Sequence, residues 1–115
     1  MVHCMERGSE IIVGDKSHLN MWEQGGISQV GHIYVKQIPN LDDGTYDLNK
    51  LESMISDHSD RCCPQTRVIC LENSQNWCGG RILPVEFVEK CAQLCKKYNI
   101  KLHLDGSRIM NVKKL

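Results

Sequence analysis

Short apolar runs alternate with amphipathic, helix-like stretches along the whole 115-residue chain, and this alternation constrains the fold more than any other feature. The stretch 68–71 is an unbroken apolar run, which is typical of a central strand covered on both faces. Four strands are expected, at 10–13, 32–38, 68–71 and 100–104. Strands that alternate with helices predict an α/β fold with a parallel sheet and right-handed crossovers.

Capping residues mark where the first two helices should begin. Ser17 is placed to cap a helix that begins near His18 and stops at the glycine pair 25–26. Asp47 is placed to cap the second helix. The apolar stripe expected on that second helix consists of Leu48, Leu51 and Ile55.

A third helix is expected after Pro84, because proline suits the first turn of a helix. A last helix should begin near Ile109, with Lys113 and Lys114 at its polar end. The buried stripe expected on the third helix consists of Val88, Cys91, Cys95 and Tyr98.

Charge and hydropathy exclude several classes of partner. The chain has 14 Lys plus Arg and 14 Asp plus Glu, so its formal net charge is zero. This balance gives no electrostatic reason to expect nucleic acid or an acidic membrane as a partner, and it favours self-association. No apolar run approaches the roughly 18 residues of a membrane span, and the first residues do not resemble a secretory signal.

Seven cysteines, an odd number without framework spacing, indicate reduced thiols in an intracellular compartment. A small thiol or zinc protein is an alternative that these residues leave open. It lacks the paired Cys-x-x-Cys pattern of zinc sites. The candidate zinc ligands would be His3, Cys4, His58, Cys62 and Cys63.

Asp105 and Arg108 follow the last predicted strand and are about one helical turn apart. In open parallel sheets, ligands bind in the crevice beyond the carboxyl ends of the strands. An acid there can hold a protonated ring nitrogen, and a guanidinium can clamp a carboxylate with two hydrogen bonds. The pair therefore suggests an enzyme that handles an amino acid on a cofactor. The residues alone leave open that Asp105 caps a helix and that Arg108 lies on a helix surface.

The order and spacing of four segments resemble the threonine aldolases, which are pyridoxal-phosphate lyases of the aspartate-aminotransferase fold. The resemblance covers nearly the whole chain. It implies that residues 1–115 are a segment of the large cofactor-binding domain, built of β-α repeats on a parallel sheet and incomplete at both ends. The segments are Gly14-Asp15-Lys16-Ser17-His18 with Glu23-Gln24-Gly25-Gly26, then Leu71-Glu72-Asn73, then Cys78-Gly79-Gly80-Arg81, then Asp105-Gly106-Ser107-Arg108.

The resemblance implies roles for four residues. His18 matches the histidine that stacks on the pyridine ring of the cofactor, and Glu23 matches a glutamate near the site. Asp105 matches the aspartate at the pyridine nitrogen, and Arg108 matches the arginine that binds the substrate carboxylate. Without the resemblance, the favoured interpretation of His18 is a residue that begins a helix and makes a backbone hydrogen bond, and Glu23 is interpreted as a solvated helix residue.

The activity implied is retro-aldol cleavage of L-threonine or L-allo-threonine to glycine and acetaldehyde, with pyridoxal 5'-phosphate as the cofactor. The implied partner is a small amino-acid substrate. The complete enzyme is expected to be a homo-oligomer in the cytosol.

The chain departs from the family pattern at three points. Gln75 stands where the family has a histidine near the substrate hydroxyl, and an amide cannot carry a proton at neutral pH. The Gly/Ser-rich turn that cradles the cofactor phosphate and the lysine that binds the cofactor covalently are both missing from these residues. The isolated chain is therefore expected to be inactive. The competing interpretation is a truncated, non-catalytic homologue that at most binds a partner.

Overall fold

The sheet predicted from the sequence is present in the computed structural model, which describes residues 2–112. It consists of four parallel strands: β1 (Ser9–Gly14), β2 (Tyr34–Ile38), β3 (Gln65–Glu72) and β4 (Lys101–Asp105). Their order across the sheet is β2-β1-β3-β4. The two central strands, β1 and β3, are the most deeply buried, as their continuous apolar runs predict.

Helices follow the strands as predicted, with one correction. The single helix expected from His18 to the glycine pair is wrong: two four-residue helices occupy this stretch and its continuation. Gly25 has the left-handed φ of 67° and precedes the second short helix instead of ending the first. The helices are α1 (His18–Met21), α2 (Gly26–Gln29), α3 (Leu48–Met54), α4 (Val85–Lys97) and α5 (Ile109–Val112).

Of the two predicted helix caps, one is confirmed and the other is not. The Asp47 carboxylate accepts hydrogen bonds from the backbone N–H groups of Asn49 and Lys50, so the cap of α3 is confirmed. Ser17 does precede α1, but its side chain makes no capping bond. The predicted polar end at Lys113 and Lys114 lies outside the described residues.

One side of the sheet, here called the closed face, packs against α3 and α4. Burial of Cys91 and Cys95 confirms that they are core residues of α4. The stripe predicted on α4 omitted Phe87, which is buried, and included Val88 and Tyr98, which are only partly buried. The buried residues at the centre of the closed face are Ile12, Ile38, Tyr46, Leu51, Ile69, Leu71, Phe87, Cys91 and Cys95.

The other side, here called the open face, is covered by α1 and α2. Leu19 and Ile27 of these short helices are only partly buried against it. A cavity of about 360 Å³ lies here, and its lining includes Ile27 and His103. The buried residues of the open face are Cys4, Ile11, Val13, Ile33, Val68 and Cys70.

The cysteines and candidate zinc ligands do not converge. All seven cysteines are free. Cys4 is buried on the open face, Cys62 and Cys63 are exposed, and the His58 ring lies 3.0 Å from the Thr66 carbonyl oxygen. No group of three potential metal ligands occurs in residues 2–112, so the zinc alternative has no site there. Within the same residues the longest helix is α4, and none has the length and apolar character needed to cross a bilayer.

Candidate functional site

The strand order creates a crevice where β1 and β3 end. The chain passes from β1 to β2 on one side of the sheet centre and from β3 to β4 on the other. Connections that diverge in this way leave room for a ligand between the carboxyl ends of the two central strands. The residues predicted from the sequence as site residues follow β1, β3 and β4 at this edge.

Asp105 ends β4 directly opposite Glu72, the last residue of β3. Residues paired in this way on neighbouring strands project from the same face, and the alternation along β3 assigns Glu72 to the open face with Val68 and Cys70. One Asp105 carboxylate oxygen accepts a hydrogen bond from the Ser107 N–H at 3.1 Å. Asp105 therefore shapes the turn after β4 while remaining partly accessible.

His18 begins α1 and uses both its backbone and its ring. Its N–H donates to Oε2 of Glu72 at 2.8 Å. Its ring Nδ1 lies 2.8 Å from Oε1 of Glu23, so two residues predicted near the site are in contact. His18 can therefore begin the helix and also belong to the site. Its backbone N–H is used at the start of α1, whereas its ring contacts Glu23.

Arg108 lies in the turn after β4. Its Nη1 is 3.5 Å from Oε1 of Glu72, and its side chain is about one-third exposed. The contact uses a single guanidinium nitrogen, whereas a guanidinium carries five N–H donors. Arg108 can therefore hold a carboxylate ligand while it keeps its contact with Glu72.

Gln75 is 1% exposed and is held by the backbone at both ends of its amide. Its Nε2 donates to the Lys16 carbonyl at 3.0 Å, and its Oε1 accepts from the N–H groups of Trp77 at 2.8 Å and Cys78 at 3.3 Å. A Cβ atom at Gly44 would lie 3.0 Å from the Gln75 Cβ, so only glycine fits beside it without displacement. The amide pins the loop after β3 to the loop after β1. Its nearness to a substrate hydroxyl stays a prediction.

Two residues of this region were given no functional role on sequence grounds. Glu72 is 4% exposed and connects His18 with Arg108. Its sequence signals are a charged residue at the end of a buried apolar run and its place in Leu71-Glu72-Asn73, one of the four segments that carry the family resemblance. Ser17 was interpreted as a helix cap, yet its buried hydroxyl has no hydrogen-bond partner within residues 2–112.

Comparison with known proteins identifies the family of the chain. A model of the family described as beta-eliminating lyase matches residues 1–114. The chain belongs to the beta-eliminating lyase family. Over 112 residues, 96% of this chain and 31% of the relative, it is 46% identical to the low-specificity L-threonine aldolase 1 of Arabidopsis thaliana. Over 109 residues, 95% of this chain and 31% of the relative, it is 37% identical to the low specificity L-threonine aldolase of Escherichia coli strain K12. The chain spans about a third of the length of these relatives.

Solved structures confirm the predicted fold of this beta-eliminating lyase segment. A threonine aldolase of Leishmania major superposes with a TM-score of 0.78 at 22% identity, covering 93% of this chain and 30% of that one. A PLP-dependent aminotransferase of Streptococcus suis superposes with a TM-score of 0.68 at 17% identity, covering 90% and 25%. The chain is thus a segment of the α/β, aspartate-aminotransferase-like fold.

The residues at the crevice fit the chemistry of pyridoxal phosphate. Asp105 offers a carboxylate for a protonated ring nitrogen, and His18 offers a flat imidazole for a ring face. The unpartnered Ser17 hydroxyl is a buried polar group of the kind that a polar ligand satisfies. The guanidinium of Arg108 adds a charge that suits the carboxylate of an amino acid.

Proposed function

We propose that residues 1–115 form part of the active site of a threonine aldolase, which cleaves L-threonine or L-allo-threonine to glycine and acetaldehyde. One observation carries the proposal: Glu72 connects the start of α1 with Arg108, beside Asp105, at the switch point of the sheet. The 46% identity to a named low-specificity L-threonine aldolase supports the choice of reaction.

Each residue has a distinct part in this proposal. Pyridoxal phosphate, when bound, supplies the electron-withdrawing ring that takes up the electron pair of the broken carbon–carbon bond. Asp105 would hold a proton at the ring nitrogen, and the His18 imidazole, oriented by its contact with Glu23, would hold a face of the ring. Arg108 binds the substrate carboxylate. Gln75 fixes the loop near the substrate hydroxyl and, as an amide, hydrogen-bonds without accepting a proton.

For the complete enzyme we propose a homo-oligomer in the cytosol, with a small amino acid as its substrate. Seven free cysteines support a reducing compartment, where disulfides are rare. The zero net charge supports self-association and gives no basis for a nucleic-acid or membrane partner. Mass measurement in solution and cell fractionation test this part of the proposal.

The second candidate function, a non-catalytic homologue, is favoured by Gln75. Both ends of its amide are engaged by backbone groups, so this side chain acts as a tie between loops. A homologue that had lost the proton acceptor but kept its fold would have such a structural side chain at this position. The two candidates differ in whether the segment supports turnover in an otherwise active enzyme.

A rebuilt enzyme decides between them. Residues 1–115 replace the matching third of the Arabidopsis low-specificity L-threonine aldolase 1, which retains its own remaining two-thirds. Acetaldehyde release from each threonine diastereomer is measured after circular dichroism and gel filtration have verified folding. We expect turnover above the rate of free cofactor, and we expect Asp105→Ala to abolish it while the fold is preserved.

The matched control is Asp57→Ala, because Asp57 is an exposed aspartate bonded to Ser59 in the loop before β3, at the opposite end of the sheet. This control should retain full activity. Turnover that persists in Asp105→Ala would show that the ring-nitrogen assignment is wrong. A folded, cofactor-binding rebuilt enzyme without turnover would favour the non-catalytic homologue.

A further inference from the structure

Two glutamates are buried in the sheet, at opposite ends, and they have different kinds of partners. Glu10 of β1 is 1% exposed. Its Oε1 accepts hydrogen bonds from Thr66 at 2.7 Å and Ser56 at 3.1 Å and lies 3.0 Å from Nζ of Lys36. Thr66 and Lys36 belong to the strands that flank β1, so two of these three partners of Glu10 lie within the sheet, and Ser56 lies in the loop after α3. Glu72 instead contacts three segments that lie beyond the strand ends.

The two carboxylate oxygens of Glu72 contact different segments. Oε2 accepts the N–H of His18 at 2.8 Å, at the start of α1. Oε1 accepts the N–H of Asn76 at 3.2 Å, in the loop after β3, and faces Arg108 in the turn after β4. Burying a carboxylate is unfavourable unless charge and hydrogen bonds compensate it, and Glu72 has both. Its position is therefore coupled to the positions of all three segments.

This coupling matters most for α1. An isolated helix of four residues cannot sustain itself, because nucleating a helix costs more than so few hydrogen bonds return. The contact between Glu72 and the His18 N–H anchors its first residue. Whatever orientation the His18 ring adopts therefore depends on a carboxylate that comes from a strand 54 residues away in sequence.

The same carboxylate constrains Arg108. A free arginine side chain has about 2 kcal/mol of rotamer entropy to lose when it clamps a ligand. Glu72 holds one edge of the guanidinium, so part of that ordering occurs before a ligand arrives. Glu72 contacts one guanidinium nitrogen, and the Arg108 side chain as a whole is about one-third exposed.

We propose that Glu72 is a positioning residue for the amino-acid site, because its buried carboxylate holds the start of α1 and Arg108 in one fixed arrangement. It acts through these residues and contacts no substrate itself. The part that concerns substrate binding rests on the proposed function, whereas the anchoring of α1 does not.

The first test uses the 115-residue chain and the substitution Glu72→Gln, with Glu10→Gln as the matched buried control. Glutamine keeps one acceptor oxygen and replaces the other with a donor, so either the His18 or the Asn76 N–H loses its partner. Hydrogen exchange of these two amides is measured by NMR, and unfolding in urea gives the global stability. After correction for global stability, exchange at His18 or Asn76 should be about tenfold faster in Glu72→Gln and unchanged in Glu10→Gln.

The second test measures steady-state kinetics of the same two variants in the rebuilt enzyme. The substrate carboxylate keeps its charge throughout the cleavage, so a weaker Arg108 contact should affect substrate and transition state alike. Glu72→Gln should therefore raise KM for threonine about tenfold, with a much smaller change in kcat. Glu10→Gln should leave KM unchanged.

Two results would overturn the inference. Equal exchange rates at His18 and Asn76 in Glu72→Gln and the unsubstituted chain would show that Glu72 does not anchor α1. An unchanged KM for threonine in Glu72→Gln would show that Glu72 does not position Arg108 for the substrate carboxylate. If the unsubstituted rebuilt enzyme lacks turnover, the proposed function fails while the exchange experiment still decides whether Glu72 holds the three segments together.

Discussion

The two faces of the sheet use alternate residues of the same strands, yet they are covered very differently. The closed face lies under α3, with seven residues, and α4, with 13. The open face lies under two four-residue helices, whose Leu19 and Ile27 are only partly buried against it. Longer helices bury a longer apolar stripe and can close the core. The comparison indicates that stability resides mainly on the closed face, whereas the open face carries the candidate site.

The largest expected difference between the faces concerns stability. Leu51 on α3 is fully buried in the closed face, and Leu51→Ala should reduce the free energy of unfolding by about 2–5 kcal/mol. Leu19 on α1 is only partly buried, and Leu19→Ala should cost under about 2 kcal/mol, because less apolar area returns to water. Urea unfolding followed by circular dichroism measures both. Equal losses of unfolding free energy in the two variants would contradict the inference that stability resides mainly on the closed face.

A smaller difference is expected in the accessibility of thiols. Burial raises the pKa of Cys91 to about 12 and that of Cys95 to about 11, so neither thiol forms much of the reactive thiolate near neutral pH. Cys70 is also buried, and burial raises its pKa to about 12, but it lines the open-face cavity, through which a small reagent can enter.

Labelling with a small methanethiosulfonate, quantified by mass spectrometry of peptides, tests this difference in thiol accessibility. Cys62 and Cys63 are exposed and should react first. Cys70 should follow, about tenfold ahead of the closed-face pair, because local opening precedes global unfolding. Labelling of Cys91 and Cys95 at the same rate as Cys70 would mean that α3 and α4 do not protect their face better than α1 and α2 do.

The smallest effect is expected at Gln75, in the loop after β3. In the rebuilt enzyme, Gln75→His should raise turnover only a few-fold, well below the roughly 10²–10⁴-fold of a positioned general base. The reason is that the side chain at this position is buried and tied to the backbone. An imidazole cannot replace all three amide contacts, so a stability loss of about 1 kcal/mol should accompany the gain. Unchanged turnover would identify a different proton acceptor.

Regular patterns explain what the sequence could predict. The four strands and the cap of α3 at Asp47 depend on local chemistry, and each is found where the pattern predicts it. The second short helix was missed because a glycine pair usually ends a helix, whereas Gly25 here precedes one. On α4 the predicted stripe included Val88, three residues before Cys91. Phe87, four residues before Cys91, lies on the same side of the helix and is the more deeply buried of the two.

The candidate site was predictable where it depends on strand ends and not where it depends on pairing across the sheet. Asp105 and Arg108 follow the last apolar run, so their place at the edge could be read from the sequence. The role inferred for Glu72 could not, because it requires the β1–β3 pairing that brings His18 within 2.8 Å. Nor does any local pattern reveal that the Gln75 side chain is buried.

The strand order also has a consequence for how the molecule folds. The two central strands are not consecutive, because β2 and α3 lie between β1 and β3 in the chain. Each flanking β-α unit can collapse early, but the crevice exists only after a loop of about fifty residues has closed, and such closures are slow. A nascent chain that has not yet emerged as far as Glu72 therefore has His18 without its anchor. The ligand site should appear in a single late step, together with the completed sheet.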